Sequence, residues 1–187
     1  MEIITVDRNG EKKVSVESYE CSERRVVRLT GSINSEKIDK IISKIEYLDA
    51  ISDDDIYIYI NSPGGVVTDG FALIDAVGRL NSNVVYIAQG QAASMAAFIL
   101  ASGKKGCRKA TPNTEIMLHQ VLGGTSGQAS DIELAAKQIK KTKNKINALL
   151  SEWTGKDFET IERDTDRDYF MSAQEALNYG IIDEIIT

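Results

Sequence analysis

Ile56-Tyr57-Ile58-Tyr59-Ile60 is a run of β-branched and aromatic residues that suits a strand far better than a helix, and it stops abruptly at Asn61-Ser62-Pro63-Gly64-Gly65. A helical stretch follows from about Thr68 to Leu80. A second β-prone run, Val84 to Ala88, then leads into a small-residue helix from about Ala93 to Ala101. Strands alternating with helices indicate an α/β domain.

The flanking segments extend the pattern. Ile3 to Val6 and Val14 to Val16 bracket the turn sequence Asp7-Arg8-Asn9-Gly10, which predicts a hairpin. Val26 to Leu29 reads as a strand ending at Thr30-Gly31. Ser35 to Leu48 carries Ile38, Ile41, Ile42, Ile45 and Leu48 at helical spacing. Short strands are expected at Cys107 to Ala110 and Glu115 to Leu118, followed by a Gly-rich segment, Leu122 to Gln128. Ile132, Ala135, Ala136, Ile139, Ile146, Leu149 and Leu150 mark one long amphipathic helix. Helices at Asp157 to Arg163 and Ala173 to Tyr179, a stop at Gly180 and a last strand, Ile181 to Ile186, complete the chain.

With 187 residues, 42% hydrophobic and 27% charged, the chain is sized and composed for one ordinary domain. A net charge of −6 argues against a phosphate-backbone binder, so no nucleic acid is expected. The densest basic run, Lys104, Lys105, Arg108 and Lys109, reads as a solvated loop. Two distant cysteines, Cys21 and Cys107, speak against a disulfide framework or zinc site and for a reducing compartment. The N-terminus has no apolar signal core, and the longest apolar stretch, around Ala92 to Ser102, is too short for a bilayer. A cytoplasmic protein without membrane association is the expectation.

His119 is the chain's one histidine, so any mechanism needing an imidazole base must use it. It ends the β-prone run Ile116-Met117-Leu118. A structural histidine is the plain alternative. Ser94 follows a strand and opens a helix among small neighbours, where backbone N–H groups are free and a substrate backbone finds space. A capping serine is the alternative there. A serine needs a base, and the base an orienting acid. The run Glu162-Arg163-Asp164-Thr165-Asp166-Arg167-Asp168 offers several carboxylates, and spacing selects none of them. Ser62-Pro63-Gly64-Gly65 lacks the Gly-Lys-Ser/Thr of a phosphate loop and suits an oxyanion hole of backbone donors, or a plain tight turn.

Several separate motifs, in order, resemble the Clp protease proteolytic-subunit (ClpP) family: Ile60 to Gly65 (INSPGG), Gly90 to Met95 (GQAASM), Met117 to Gln120 (MLHQ), Leu122 to Glu133, Glu162 to Phe170 and Ser172 to Asp183. The resemblance runs from about Val26 to the end, and less securely over the amino-terminal hairpin. It implies a ClpP/crotonase-like spiral of strand-strand-helix units with a protruding handle helix. Residues 1–24 would form an axial hairpin or pore segment, 25–120 and 152–187 a head, and 121–151 a handle strand and helix within a single domain. It implies Ser94 as nucleophile, His119 as base and Asp168 as orienting acid, with the N–H groups of Gly65 and Met95 as oxyanion hole. Gly64, Leu122, Gly123, Gly124 and Thr125 would meet an extended substrate, added as a strand. Gln128, Asp166 and Arg167 would lie between two stacked heptameric rings. No metal or organic cofactor is implied, ATP being used by a partner AAA+ ATPase.

That ATPase would dock around Tyr57, Tyr59, Ile87, Gln89, Lys109, Thr111 and Ile186. Gln89, Lys109 and Thr111 stand where the family commonly has apolar residues, which predicts altered docking or a paralogous second ring. Ala96 stands for a usual glycine and Val121 for a usual proline. A weakly active or regulatory subunit co-assembling with a paralogue is the alternative reading. A crotonase-type acyl-CoA enzyme, sharing the spiral and an oxyanion hole, is a more distant one.

Overall fold

The computed structural model describes residues 2–7 and 10–187. It opens with an antiparallel hairpin, β1 (Glu2–Asp7) and β2 (Gly10–Ser15), in which Thr5 pairs with Lys12. Arg8 and Asn9 of the expected turn lie outside the described residues. Val16, expected to extend the second strand, instead begins a helix, α1 (Val16–Arg24). Ser15 explains this locally: its side chain accepts from the Ser18 N–H, and Glu17 sits in the first turn where the helix dipole favours an acid.

Arg25 ends α1 in a left-handed conformation, φ 53°. From there its guanidinium donates to the carbonyls of Leu48, Ser52, Asp54 and Asp55 and to the Ser82 hydroxyl. One side chain thus ties together the loops that precede two of the sheet's strands.

The main body is built by repetition. β3 (Val26–Thr30), helix α2 (Ser35–Ile51), β4 (Ile56–Ser62), helix α3 (Val67–Val77) and β5 (Val84–Ala93) follow one another, and the three strands are parallel neighbours in that order. Each strand–helix unit advances one place along the sheet. Ile38, Ile41, Ile45 and Leu48 of α2 are buried, as their spacing requires, and so are Ile56, Ile58 and Ile60 of β4. Alternation sends Tyr57 and Tyr59 to the opposite face.

β5 then forks. Its first half pairs in parallel with β6 (Arg108–Ala110), and its second half with β7 (Glu115–Leu118). Between them, α4 (Met95–Ala101) leaves the end of β5 with every residue buried. After β7 the chain runs through residues 119–128 without regular structure into α5 (Ala129–Thr154). The exposed first half of α5 carries Ile132 and Leu134, while Ile146, Asn147 and Leu150 near its end join the core. α6 (Phe158–Asp164), β8 (Tyr169–Ser172), α7 (Ala173–Tyr179) and β9 (Glu184–Ile185) close the chain. β9 adds to β6 in parallel, and β8 pairs antiparallel with β7.

Three expectations are corrected. β8 has no counterpart in the sequence reading, because it is a four-residue edge strand whose partner, β7, is remote in the chain. The last strand is only Glu184–Ile185; Ile181 and Ile182 are buried without joining the sheet. The basic run is not a solvated loop throughout. Arg108 is fully buried, held by Asp183 and by the carbonyls of Ala101 and Trp153. Among the described residues, no helix is long and apolar enough to cross a membrane.

Candidate active site

Strand register brings the three expected residues together. Ala93 of β5 lies opposite Met117 of β7, and the Ser94 N–H donates to the Met117 carbonyl at 2.8 Å. His119 therefore leaves β7 beside the Ser94 turn. On the other side of β7, Leu118 pairs with Tyr169 of β8, so the next positions, His119 and Asp168, face each other where the ladder ends. His119 Nδ1 lies 3.7 Å from Asp168 Oδ1. That is beyond a hydrogen bond and within reach of a small adjustment. The Asp168 side chain is 63% exposed and free to make it, whereas that of His119 is 13% exposed.

The conformation of Ser94 decides against the plain capping reading. Its φ of 55° and ψ of −123° are unusual for a residue with a Cβ, and its side chain makes no capping hydrogen bond to α4. Such backbone strain costs on the order of 1–3 kcal/mol and persists only where surrounding structure enforces it. Ser94 lines a cavity of about 370 Å³ at this junction. His119, Gly64, Gly65 and Leu122 also line this cavity.

The glycine turn is built around the same point. The Gly64 N–H is taken by the Ser62 hydroxyl and the Val66 N–H by the Ile33 carbonyl, while the Gly64 carbonyl accepts from Ile33. The Gly65 N–H between them has no protein acceptor among the described residues. Met95, as the first residue of α4, likewise has no helical acceptor for its N–H. Gly64 has φ 93°, and a Cβ there would stand 2.7 Å from the Ala93 carbonyl oxygen, 2.8 Å from Ser94 Cβ and 2.9 Å from Met95 N. Gly64→Ala should therefore displace the Ser94 turn and lower kcat/KM for a short peptide by about 100-fold, the scale of one lost oxyanion donor. Steady-state kinetics with a melting curve on the same sample checks this.

The acidic run resolves by partner. Glu162 pairs with Lys143 at 3.6 Å, Asp164 accepts from the Tyr179 hydroxyl at 3.0 Å, and Asp166 receives the Gln120 side-chain amide on its backbone carbonyl at 2.9 Å. Burial and the adjoining Asp164 carboxylate push the Tyr179 hydroxyl well above the ordinary phenol range. Only Asp168 of the run faces the imidazole.

The other expected positions fall as follows. Gly64 and Leu122 line the cavity, while Gly123 packs on Ile139 of α5 and Gly124 and Thr125 lie outside the lining. Gln128, Asp166 and Arg167 are exposed, and no bond joins Gln128 to the other two within the chain. Tyr59, Ile87 and Lys109 form one cross-strand row that continues to Glu184, with Tyr57, Gln89, Thr111 and Ile186 around it. Lys109 is not an isolated charge in that row, since Glu184 pairs with it at 2.6 Å. Ala96 is fully buried and absent from the cavity wall, so its extra methyl packs in the core.

Sequence reasoning missed the apolar end of the cavity. Val67, Phe98, Ile146 and Leu150 line it, from three helices. The spacing of Ile146 and Leu150 on one helix face is the signal that pointed to a buried stripe, without saying what the stripe would face.

The family model described as Clp protease matches residues 9–187. The mixed α/β architecture is consistent with the ClpP/crotonase-like fold of that family, and the match supports a peptidase of the ClpP type. With essentially its whole length matched, this chain belongs to the Clp protease family.

Proposed function

We propose that this chain is a serine endopeptidase subunit of a barrel of two stacked heptamers, which degrades unfolded polypeptides delivered by an AAA+ ATPase and cuts small peptides without it. One observation carries the reading: the strained Ser94 turn and the chain's single histidine meet at one end of the β5–β7 pair, and only one carboxylate of the acidic run faces that histidine.

The chemistry follows from that placement. His119 takes the Ser94 proton as the oxygen attacks a peptide carbonyl. The N–H groups of Gly65 and Met95 hold the tetrahedral oxyanion, each worth about 3 kcal/mol in the transition state. His119 returns the proton to the leaving amine, and water then releases the acyl-enzyme. Asp168 holds the imidazole in the useful tautomer and stabilises the imidazolium. The chain needs no cofactor of its own for these steps.

The open 3.7 Å gap between His119 and Asp168, together with the exposure of Asp166, Arg167 and Asp168, supports coupling of the triad to ring stacking. In that scheme 121–151 is the handle, with Gln128 contributing to the ring–ring contact, and 1–24 lines the axial pore. The apolar end of the cavity favours cleavage after apolar residues. Exposed Gln89 and the Lys109–Glu184 pair make the ATPase docking face more polar than the family's, which favours altered docking or a paralogous second ring.

The test combines native mass measurement with fluorophosphonate labelling and a fluorogenic peptide assay on one sample. A particle of fourteen chains that takes the label and loses it in Ser94→Ala is the expected result. Intact rings that never take the label would replace this reading with a regulatory subunit. Acyl-CoA turnover without peptide cleavage would replace it with a crotonase-type enzyme.

A further inference from the structure

Glycine is, after proline, the poorest helix former. Gly70 nevertheless lies inside α3, buried, and its backbone is not in the left-handed region that would call for glycine. Space is the reason for it. A Cβ on Gly70 would stand 2.2 Å from Met95 Cε, 2.5 Å from Met95 Cγ and 2.9 Å from Met95 Sδ, well inside contact distance. Met95 is itself buried, so its thioether fills the notch that the missing side chain leaves in α3.

The neighbours hold this joint from both sides. Phe71, next to Gly70, meets Phe98 of α4 edge-on with ring centroids 5.4 Å apart. Asp69, before it, accepts from the Ser35 hydroxyl of α2 at 3.1 Å, and Leu73 and Ala76 bury α3 in the core. With α3 fixed in this way, a methyl at Gly70 would move Met95 and not the helix.

The two N–H groups assigned to the oxyanion come from separate segments, and both lead back to α3. Gly65 directly precedes Val66, the cap of that helix, and Met95 plugs into the helix at Gly70. We propose that Gly70 is a positioning residue for the peptide cleavage described above, an inference that rests on that reading. By seating the Met95 side chain, it fixes the Met95 N–H against the same support that carries the Gly65 N–H. The spacing of the two donors is then set before the oxyanion forms, which is when preorganisation counts.

The test is a double-mutant cycle on the full-length protein in its native assembly, with a short fluorogenic peptide. Rates are expressed per serine titrated to completion with a fluorophosphonate, so an unfolded fraction does not enter. Gly70→Ala should lower kcat about tenfold and leave KM within about twofold, as expected for an interaction made only in the transition state. A peptide aldehyde of the same sequence adds to Ser94 Oγ with nothing leaving, and its carbonyl oxygen takes the oxyanion position. Its Ki should rise about tenfold in parallel. Met95→Ala, which keeps the N–H and removes the anchor, should also lower kcat about tenfold. Adding Gly70→Ala to Met95→Ala should cost less than about twofold more, because the new methyl then meets no thioether. Gly70→Ala within about twofold of native kcat would overturn the proposal. A loss confined to KM would do so too, and so would losses that multiply in the double variant. Native protein without Ser94-dependent cleavage would instead overturn the peptidase reading, and Gly70's role with it.

Discussion

Replacing His119 with alanine should lower kcat/KM for a short peptide by at least about 10⁴-fold, the scale of removing a triad base. The chain holds no other imidazole to take over, so no second base can mask the loss. Backbone pairing explains why the loss should be this complete. His119 follows directly on β7, and the Ser94 N–H is bonded to Met117 on the same strand, so the two side chains share one rigid support. In the proposed mechanism base and nucleophile act as a unit, so Ser94→Ala combined with His119→Ala should cost about as much as either alone. Single-turnover and steady-state kinetics on the three variants measure this. A His119→Ala variant within tenfold of the native protein would remove the imidazole from the mechanism. Two losses that simply multiply would show that Ser94 and His119 serve different steps.

The largest effect on stability is expected far from the serine. Asp183→Asn should destabilise the fold by about 3–5 kcal/mol, because it leaves a buried guanidinium without its counter-charge. Arg108 is wholly buried and gives two of its nitrogens to Asp183, with Nε to Oδ2 at 2.8 Å. The same carboxylate accepts from the N–H groups of Gly106 and Arg108. An asparagine would present an amide to donors that need an acceptor. For a chain of this length the melting temperature should fall by roughly 10 °C.

The pH dependence carries a definite sign. Burial by itself would raise the Asp183 pKa, but the Arg108 hydrogen bonds and charge, with the two backbone N–H groups, bring it below the ordinary 3.8. A carboxyl whose folded pKa is depressed adds stability that is fully present above the unfolded value and is lost as pH falls through the folded one. Native protein and Asp183→Asn should thus differ by a constant amount at neutral pH and converge below about pH 4. Melting curves across that range decide it. A gap that widens on acidification would mean that Arg108 is held by something other than this charge.

Much of this molecule is legible in its residue pattern. The IYIYI run, the isoleucine stripe of Ser35 to Leu48 and the Gly180 stop each produce the element they predict, because alternation, helical spacing and left-handed glycine are local properties of the chain. The single histidine and the serine at a strand–helix junction could be singled out for the same reason. What local pattern cannot carry is pairing between distant segments. β8 exists only because β7 offers it an edge, and Asp168 is distinguished from Glu162, Asp164 and Asp166 only by which partner the folded chain sets before each. The strain at Ser94, the burial of Arg108 and the Phe98–Trp153 ring pair likewise arise where elements remote in sequence press together. The sequence by itself determines most of the strands and helices and which candidate side chains the chain contains. The tertiary structure decides which of those side chains meet, because close packing and strand register act across the whole chain at once.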